Sequence, residues 1–301
     1  MIDIAIIGAG PAGLTAAIYG ARAGFQVTVF EELIYGGQIT NTPEVENYPA
    51  MPGISGAQFS MQLYEQAVSL GAAVEFSQVE QADLAGQVKR LTAGGREYEA
   101  RSVIIANGVK RRPLGVAGEE KFTGRGISYC ATCDGSFFKG KDTMVVGGGN
   151  TALEDALYLA NLARTVYLVH RREEFRGEEA LVRKVKEREN IRLCLGQVVA
   201  ALEGEEKLSG VRLKNVVTGE EAFHAVEGLF VAIGLMPQNE RFAGQLILEG
   251  GYIAAGEDTR TNLEGVFAAG DTRTKTLRQL VTATADGAMA ATQCALYLQS
   301  K

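Results

Sequence analysis

Asp142-Thr143-Met144-Val145-Val146-Gly147-Gly148-Gly149-Asn150-Thr151-Ala152 decides the fold, because it is the second copy of a unit that opens the chain. In the first copy an apolar run, residues 2 to 7, leads into Gly8-Ala9-Gly10-Pro11-Ala12-Gly13 and the helix-compatible Leu14-Thr15-Ala16-Ala17-Ile18-Tyr19. Both read as strand, glycine turn, helix. The glycines permit a tight turn, close approach of a pyrophosphate and close helix packing, and the helix N-terminus offers unsatisfied N–H groups to phosphate. The copies also agree downstream. The strand Gln26-Val27-Thr28-Val29-Phe30 reaches Glu31 at 31 − 8 = 23 residues, and Thr165-Val166-Tyr167-Leu168-Val169 reaches His170 at 170 − 147 = 23.

The two copies differ in charge at that offset. An acid at Glu31, with Glu32 as substitute, accepts hydrogen bonds from a free ribose diol; the alternative is a solvated carboxylate at a strand end. The second copy has His170-Arg171-Arg172, with Arg176 beyond. Guanidinium forks bind a 2′-phosphate that an acid would repel, so the second site reads as one for NADP and not NAD. An exposed basic helix start is the bland reading.

Between the copies lies Tyr129-Cys130-Ala131-Thr132-Cys133-Asp134-Gly135. Two thiols at C-x-x-C spacing cycle between dithiol and disulfide: one attacks an outside disulfide and the other resolves the mixed species. Asp134 stands ready as proton donor or acceptor for the departing thiolate. A zinc site needs further ligands, and Cys194, Cys294, His170 and His224 are not paired at ligand spacing. A structural disulfide closing so short a loop removes little unfolded-state entropy. Cys194 and Cys294 read as buried small apolar residues.

The chain's 301 residues, 46% hydrophobic and with 37 glycines, have room for about two domains. A net charge of −6 argues against a nucleic-acid surface, so the basic cluster at 170 to 176 has a local purpose. The opening residues read as a buried strand and not a signal peptide. No apolar stretch is long enough to span a bilayer, and the cytoplasm is the expected compartment.

The remaining segments are quieter. Ile54 to Gly71 reads as an amphipathic helix, and residues 73 to 100 as a small antiparallel sheet split at Gly86 and Gly94-Gly95. The strand Ser102-Val103-Ile104-Ile105-Ala106 ends at Asn107-Gly108, where backbone could approach a ligand, and Leu229 to Gly234 is another buried strand. Gly265-Val266-Phe267-Ala268-Ala269-Gly270-Asp271 is a strand ending in Gly-Asp, which either closes on a sugar or ribityl hydroxyl or is a simple turn. An Ala-rich helix follows from about Arg278 to Gln299.

In combination these motifs resemble the low-molecular-weight thioredoxin reductases over essentially the full length. Gly8 to Gly13, Gly36-Gly37-Gln38, Cys130-Ala131-Thr132-Cys133-Asp134, Gly147 to Ala152, His170 through Arg176, and Gly270-Asp271 with Arg278-Gln279 occur in that family's order. The resemblance implies an α/β protein of two Rossmann-like, three-layer nucleotide-binding domains, the second inserted into the first. The FAD domain would comprise residues 1–113 and 239–301, and the NADPH domain 114–238. FAD would be met by Gly8, Gly10, Pro11, Ala12, Gly13, Glu31, Glu32, Gly36, Gly37, Gln38, Asn47, Ala106, Gly108, Gly270, Asp271, Arg278 and Gln279. NADPH would be met by Gly147, Gly149, Asn150, Thr151, His170, Arg171, Arg172 and Arg176. A homodimer is implied too. Two places depart from the family pattern: Ala106-Asn107-Gly108 replaces Ala-Thr-Gly, and Ala285-Asp286 stands where a glycine is usual, which bears on local FAD contacts. The lack of an added N-terminal domain argues against the related peroxide-reductase flavoproteins.

The implied activity is reduction of thioredoxin by NADPH through FAD and a Cys130-Cys133 disulfide. By family correspondence Cys133 is the sulfur nearer the flavin, Cys130 the interchange nucleophile and Asp134 the acid. Because the dithiol and the nicotinamide site share one inserted segment, that segment is expected to rotate about Arg111 to Gly118 and Gly234 to Glu240. Phe137 and Phe138, with Arg125, form either a docking patch for the protein partner or part of the core. Three other functions compete: a flavin-dependent dithiol oxidase, a reductase of another thioredoxin-like or glutaredoxin-like protein, and a redox sensor without turnover. The His170 to Arg176 cluster counts against the oxidase, and the complete thiol-acid set counts against the sensor.

Overall fold

The computed structural model describes residues 1–301 except Pro43 and Glu46 and the side chains of Asn41 and Cys133. The chain forms two compact units, Met1–Lys110 with Met236–Lys301, and Arg111–Leu235.

In the first unit, Ile2–Ile7 lies at the centre of a parallel sheet, paired with Val27–Phe30 in the register Ile4↔Val27 and with Arg96–Ile105 in the register Ile6↔Ile104. Successive side chains of a strand point to opposite faces. Ile4 and Ile6 therefore enter one core with Leu14, Ala290 and Ala291, while Ala5 and Ile7 enter another with Phe30, Leu91 and Phe242. Burial on both faces is why the run is continuously apolar. Helices Pro11–Arg22 and Leu280–Gln299 contribute their small residues to the first core. The helix Gly56–Ser69 starts where Ser55 Oγ accepts from Gln58 N–H (3.1 Å), a side-chain cap.

Residues 73 to 100 do not form a separate sheet. Ala73–Glu75 extends the parallel sheet beyond Val27–Phe30, and Arg96–Ile105 is a single ten-residue strand that, on the side away from Ile2–Ile7, serves two further partners. Its first half pairs antiparallel with Lys89–Ala93; its second half pairs parallel with Val266–Ala268. The polar start Arg96-Glu97-Tyr98-Glu99 hides the continuity, since only the second half is buried on both faces.

The second unit repeats the plan. Its five parallel strands run Ile191–Leu195, Thr165–His170, Asp142–Val146, Gly228–Val231 and Ile127–Ser128 in spatial order. Helix Asn150–Leu159 follows the glycine turn and packs Ala152, Leu153 and Ala156 against Val145, Val166 and Leu168. An antiparallel sheet, Gln197–Glu203, Gly210–Asn215 and Glu221–His224, completes it. Among the described residues no helix is long and apolar enough to cross a membrane.

Candidate functional site

The first glycine turn is closed by contacts that only glycine allows. A Cβ on Gly8, whose φ is +105°, would lie 2.5 Å from Ala106 O, and one on Gly13 would lie 1.9 Å from Gly8 O. Gly10 has no neighbour within 4 Å of its Cβ position, and the helix it caps has Pro11 at its start and no side-chain cap. Its first N–H groups are thus free for an anion. Gly36 N–H donates to Ala9 O (2.7 Å), placing the Cβ position of Gly37 3.4 Å from Gly10 Cα.

Glu31 is half-buried at the strand end. Its Oε2 accepts from Ala9 N–H (2.8 Å) and its Oε1 from Leu33 N–H (3.1 Å), which fixes the carboxylate beside the turn; Glu32 is exposed. Gln38 donates its amide to Val109 O, next to the open Gly108. Asn47 Nδ2 donates to Gln279 Oε1 (2.9 Å), bringing together two residues far apart in sequence. Gln279 also forms a capping box with Thr282 at the start of the C-terminal helix. Arg278 lies over the Tyr252 ring at 4.1 Å and donates from Nε to Asp271 O (3.4 Å).

Among the described residues of this unit, two buried carboxylate or amide oxygens lack a partner, Asp271 Oδ1 and Asn107 Oδ1, and so does the hydroxyl of Thr15 inside the first helix. Asn107 meanwhile donates from Nδ2 to Gln238 O (3.0 Å). Burial raises the Asp271 carboxyl, against the opposing pull of Lys275 and Arg278. A dinucleotide carrying hydroxyls would satisfy the orphans of Asp271 and Asn107, and the open helix N-terminus suits its pyrophosphate. The residues present therefore fit such a group.

In the second unit the same logic holds at Gly147, whose Cβ would meet Ala232 O at 2.3 Å, and at Gly149, which is open and caps an uncapped helix start. Thr151 is exposed at that start. Arg176 N–H donates to Gly148 O (2.7 Å), drawing the arginine loop onto the turn. Asn150 secures it further: Nδ2 donates to Glu178 Oε1 (2.8 Å) and Oδ1 accepts from Glu178 N–H (2.7 Å). Arg171, Arg172 and Arg176 are exposed. His170 is not exposed with them. The residue is 5% accessible, and its ring stacks on Phe175 at 5.6 Å and fills the space where a Cβ on Gly148 would sit, 2.2 Å from Cε1. Burial first, then Arg176, holds its pKa below the ordinary histidine value, and its Nε2 is buried and unpartnered. It supports the turn from beneath.

The redox turn is one helical turn, Ala131–Asp134. Ser128 organises it: its Oγ accepts from Cys130 N–H (3.0 Å) and donates to Asp134 Oδ2 (2.6 Å). Cys130 is disulfide-bonded and Thr132 Oγ1 lies 3.4 Å from its sulfur. The Cys133 side chain lies outside the described residues. Cys194 and Cys294 are free and buried; burial raises both thiols, Cys294 to about 12, leaving neither as a competing nucleophile. Of the two aromatic residues after the turn, Phe138 packs edge-on against Phe230 in the core, whereas Phe137 is 72% exposed.

A group that no motif marked accompanies the turn. Arg111 is pulled down by burial, offset by the charges of Asp155 and Asp134. Burial raises the Asp155 carboxyl to about 7, with Arg111 opposing and Glu154 adding. The folded value lies above the ordinary 3.8, so the native state holds an extra proton between them and stability falls as pH rises from about 4 to about 7. Asp155→Asn is expected to raise the thermal midpoint at pH 8 by about 5 °C and to leave it nearly unchanged at pH 4. Equal shifts at both pH values would refute the assignment.

The pyridine nucleotide-disulphide oxidoreductase family model matches residues 2–287, and the chain belongs to that family. Within it, the chain is 45% identical to a thioredoxin reductase of Mycolicibacterium smegmatis over 98% of its own length and 96% of the relative's. It is 42% identical to the thioredoxin reductase of Listeria monocytogenes over 99% and 94%. Its structure matches that of Lactococcus lactis thioredoxin reductase with a TM-score of 0.85 at 38% identity, covering both chains completely.

Proposed function

We propose that the protein is an NADPH-dependent thioredoxin-disulfide reductase carrying FAD. The observation that carries the reading is the occurrence, within the unit Arg111–Leu235, of the Cys130–Asp134 redox turn and of a dinucleotide turn ringed by Arg171, Arg172 and Arg176. The first unit holds FAD on the Gly8–Gly13 turn, Glu31 and Asp271, and the second holds NADPH. Bound FAD supplies the two-electron link between the nicotinamide and the sulfur pair.

The chain's own residues perform the exchange. Cys130 thiolate attacks the thioredoxin disulfide, forming a mixed disulfide and expelling one partner thiolate, which takes a proton. Cys133 thiolate then attacks the Cys130 sulfur, closing the Cys130–Cys133 disulfide and expelling the second partner thiolate, with Asp134 as its proton donor. Two electrons leave the enzyme and two protons end on thioredoxin. Phe137 offers an exposed aromatic contact beside the turn for thioredoxin, and the working form is a cytoplasmic homodimer.

The test is NADPH oxidation by the FAD-loaded protein with oxidised thioredoxin and with oxygen alone. Rapid consumption that requires thioredoxin is expected. Equal rates in the two conditions would favour the dithiol oxidase, and bleaching by NADPH without consumption would favour a sensor.

A further inference from the structure

Asp286, where the family pattern departs, is the most heavily bonded buried carboxylate among the described residues of the first unit. Its Oδ2 accepts from Gly270 N–H (2.9 Å), Arg273 Nε (2.8 Å) and Lys275 Nζ (2.8 Å), and its Oδ1 from Arg273 Nη2 (2.8 Å). Both cations are enclosed, with side chains 2% and 4% accessible. Arg273 reaches on to Thr274 O (2.9 Å) and to the exposed Glu257 (3.1 Å).

A buried ion cluster is a poor source of stability, since apolar residues of similar volume serve as well. What it supplies here is position. Gly270 has φ +79°, a left-handed conformation, and a Cβ there would meet Ala12 Cβ at 2.8 Å. Its N–H is aimed at Asp286, and the next residue is Asp271 with its orphan Oδ1. The neighbour of Asp286 on the same helix, Gly287, lies so close to the first glycine helix that a Cβ would sit 2.1 Å from Ala12 O. One turn of the C-terminal helix thus touches both the start of the Pro11–Arg22 helix and the Gly-Asp turn.

We propose that Asp286 is a positioning residue for FAD, holding the Gly270–Asp271 turn against the first glycine motif so that the Asp271 carboxylate faces the cofactor. This rests on the reading of Asp271 as a FAD contact. The cluster orders the turn before the cofactor arrives, lowering the ordering cost of binding.

The experiment follows release of FAD from diluted holoenzyme by the rise in flavin fluorescence, with far-UV circular dichroism reporting the fold. Asp286→Asn is expected to release FAD at least about tenfold faster, because Gly270 N–H and two buried cations lose their shared anion. In case that variant fails to fold, a triple variant, Arg273→Met, Lys275→Met and Asp286→Leu, removes the charges together. Its folded fraction, isolated by gel filtration, is expected to keep the wild-type dichroism and still release FAD at least about tenfold faster, since Gly270 N–H has no acceptor. Release from folded triple variant within about twofold of wild type would reduce the cluster to packing and overturn the proposal. Asp271→Ala separates the two levels. If it does not speed release, the Asp271 reading itself fails; if it does and the triple variant does not, only the role of Asp286 fails.

Discussion

Cys133→Ser enzyme is expected to accumulate a mixed disulfide between Cys130 and thioredoxin, with turnover lower by about 10³-fold or more. The nucleophile is intact in this variant, so the first exchange proceeds, but no second sulfur stands two residues away to resolve the product. Cys130→Ser is expected to reverse the outcome: with Cys130 as the proposed interchange thiol, the remaining thiol does not engage thioredoxin and no adduct forms. Mass spectrometry of the non-reduced proteins reads the difference directly. A stable adduct only from Cys130→Ser would exchange the roles of the two sulfurs. The background is clean because Cys194 is buried and Cys294 is enclosed with its thiol near Ser102 Oγ at 2.8 Å. Asp134 is separable from both. Its carboxylate is tied to Ser128 Oγ, so Asp134→Asn preserves the hydrogen-bonded turn while removing the proton donor, and a loss of about 10²-fold is expected without any change in adduct chemistry.

The glycine turns were legible in the sequence because their requirement is local: a left-handed φ at Gly8 and Gly270, or an approach of 1.9 Å at the Gly13 Cβ position, admits one residue type, and spacing carries the information. The alternating burial of Ile4 to Ile7 was legible for the same reason. The ten-residue strand Arg96–Ile105 was not, since its polar and apolar halves obey the rules of two different neighbours. His170 sits in a run of cations that reads as solvated. Its burial follows from Gly148 leaving room for the ring and Phe175 stacking on it, and the extra glycine in Gly147-Gly148-Gly149 was the available signal. Asp155 carries no local signature, and Asp286 shows in the sequence only as a departure from the family pattern, without its partners. The charged partners are Arg273, 13 residues before Asp286, and Arg111, 44 residues before Asp155, and only the fold brings the charges together.

Removal of the arginine loop should act on nucleotide choice alone. Arg171, Arg172 and Arg176 are exposed just past the strand that follows the second glycine turn, where the proposed NADPH site would receive the adenosine ribose, and the loop is pre-set by Arg176 N–H on Gly148 O and by the two Asn150–Glu178 hydrogen bonds. A 2′-phosphate received there gains charge-assisted hydrogen bonds that each contribute about 1.5–3 kcal/mol. NADH lacks the phosphate and gains nothing from them. The triple variant Arg171→Ala, Arg172→Ala, Arg176→Ala is therefore expected to lower kcat/KM for NADPH by about 10²–10³-fold and that for NADH by less than about threefold. The loss should fall in KM, with kcat for saturating NADPH preserved, because the phosphate lies at the opposite end of the nucleotide from the hydride and binds ground and transition states alike. Salt should mimic the variant in part, since exposed guanidinium groups are screened over about 10 Å at 0.1 M ionic strength. A parallel rise in KM for both nucleotides would mean that the arginines shape the loop and do not read the phosphate. A fall in kcat with KM unchanged would place their effect on a step after binding.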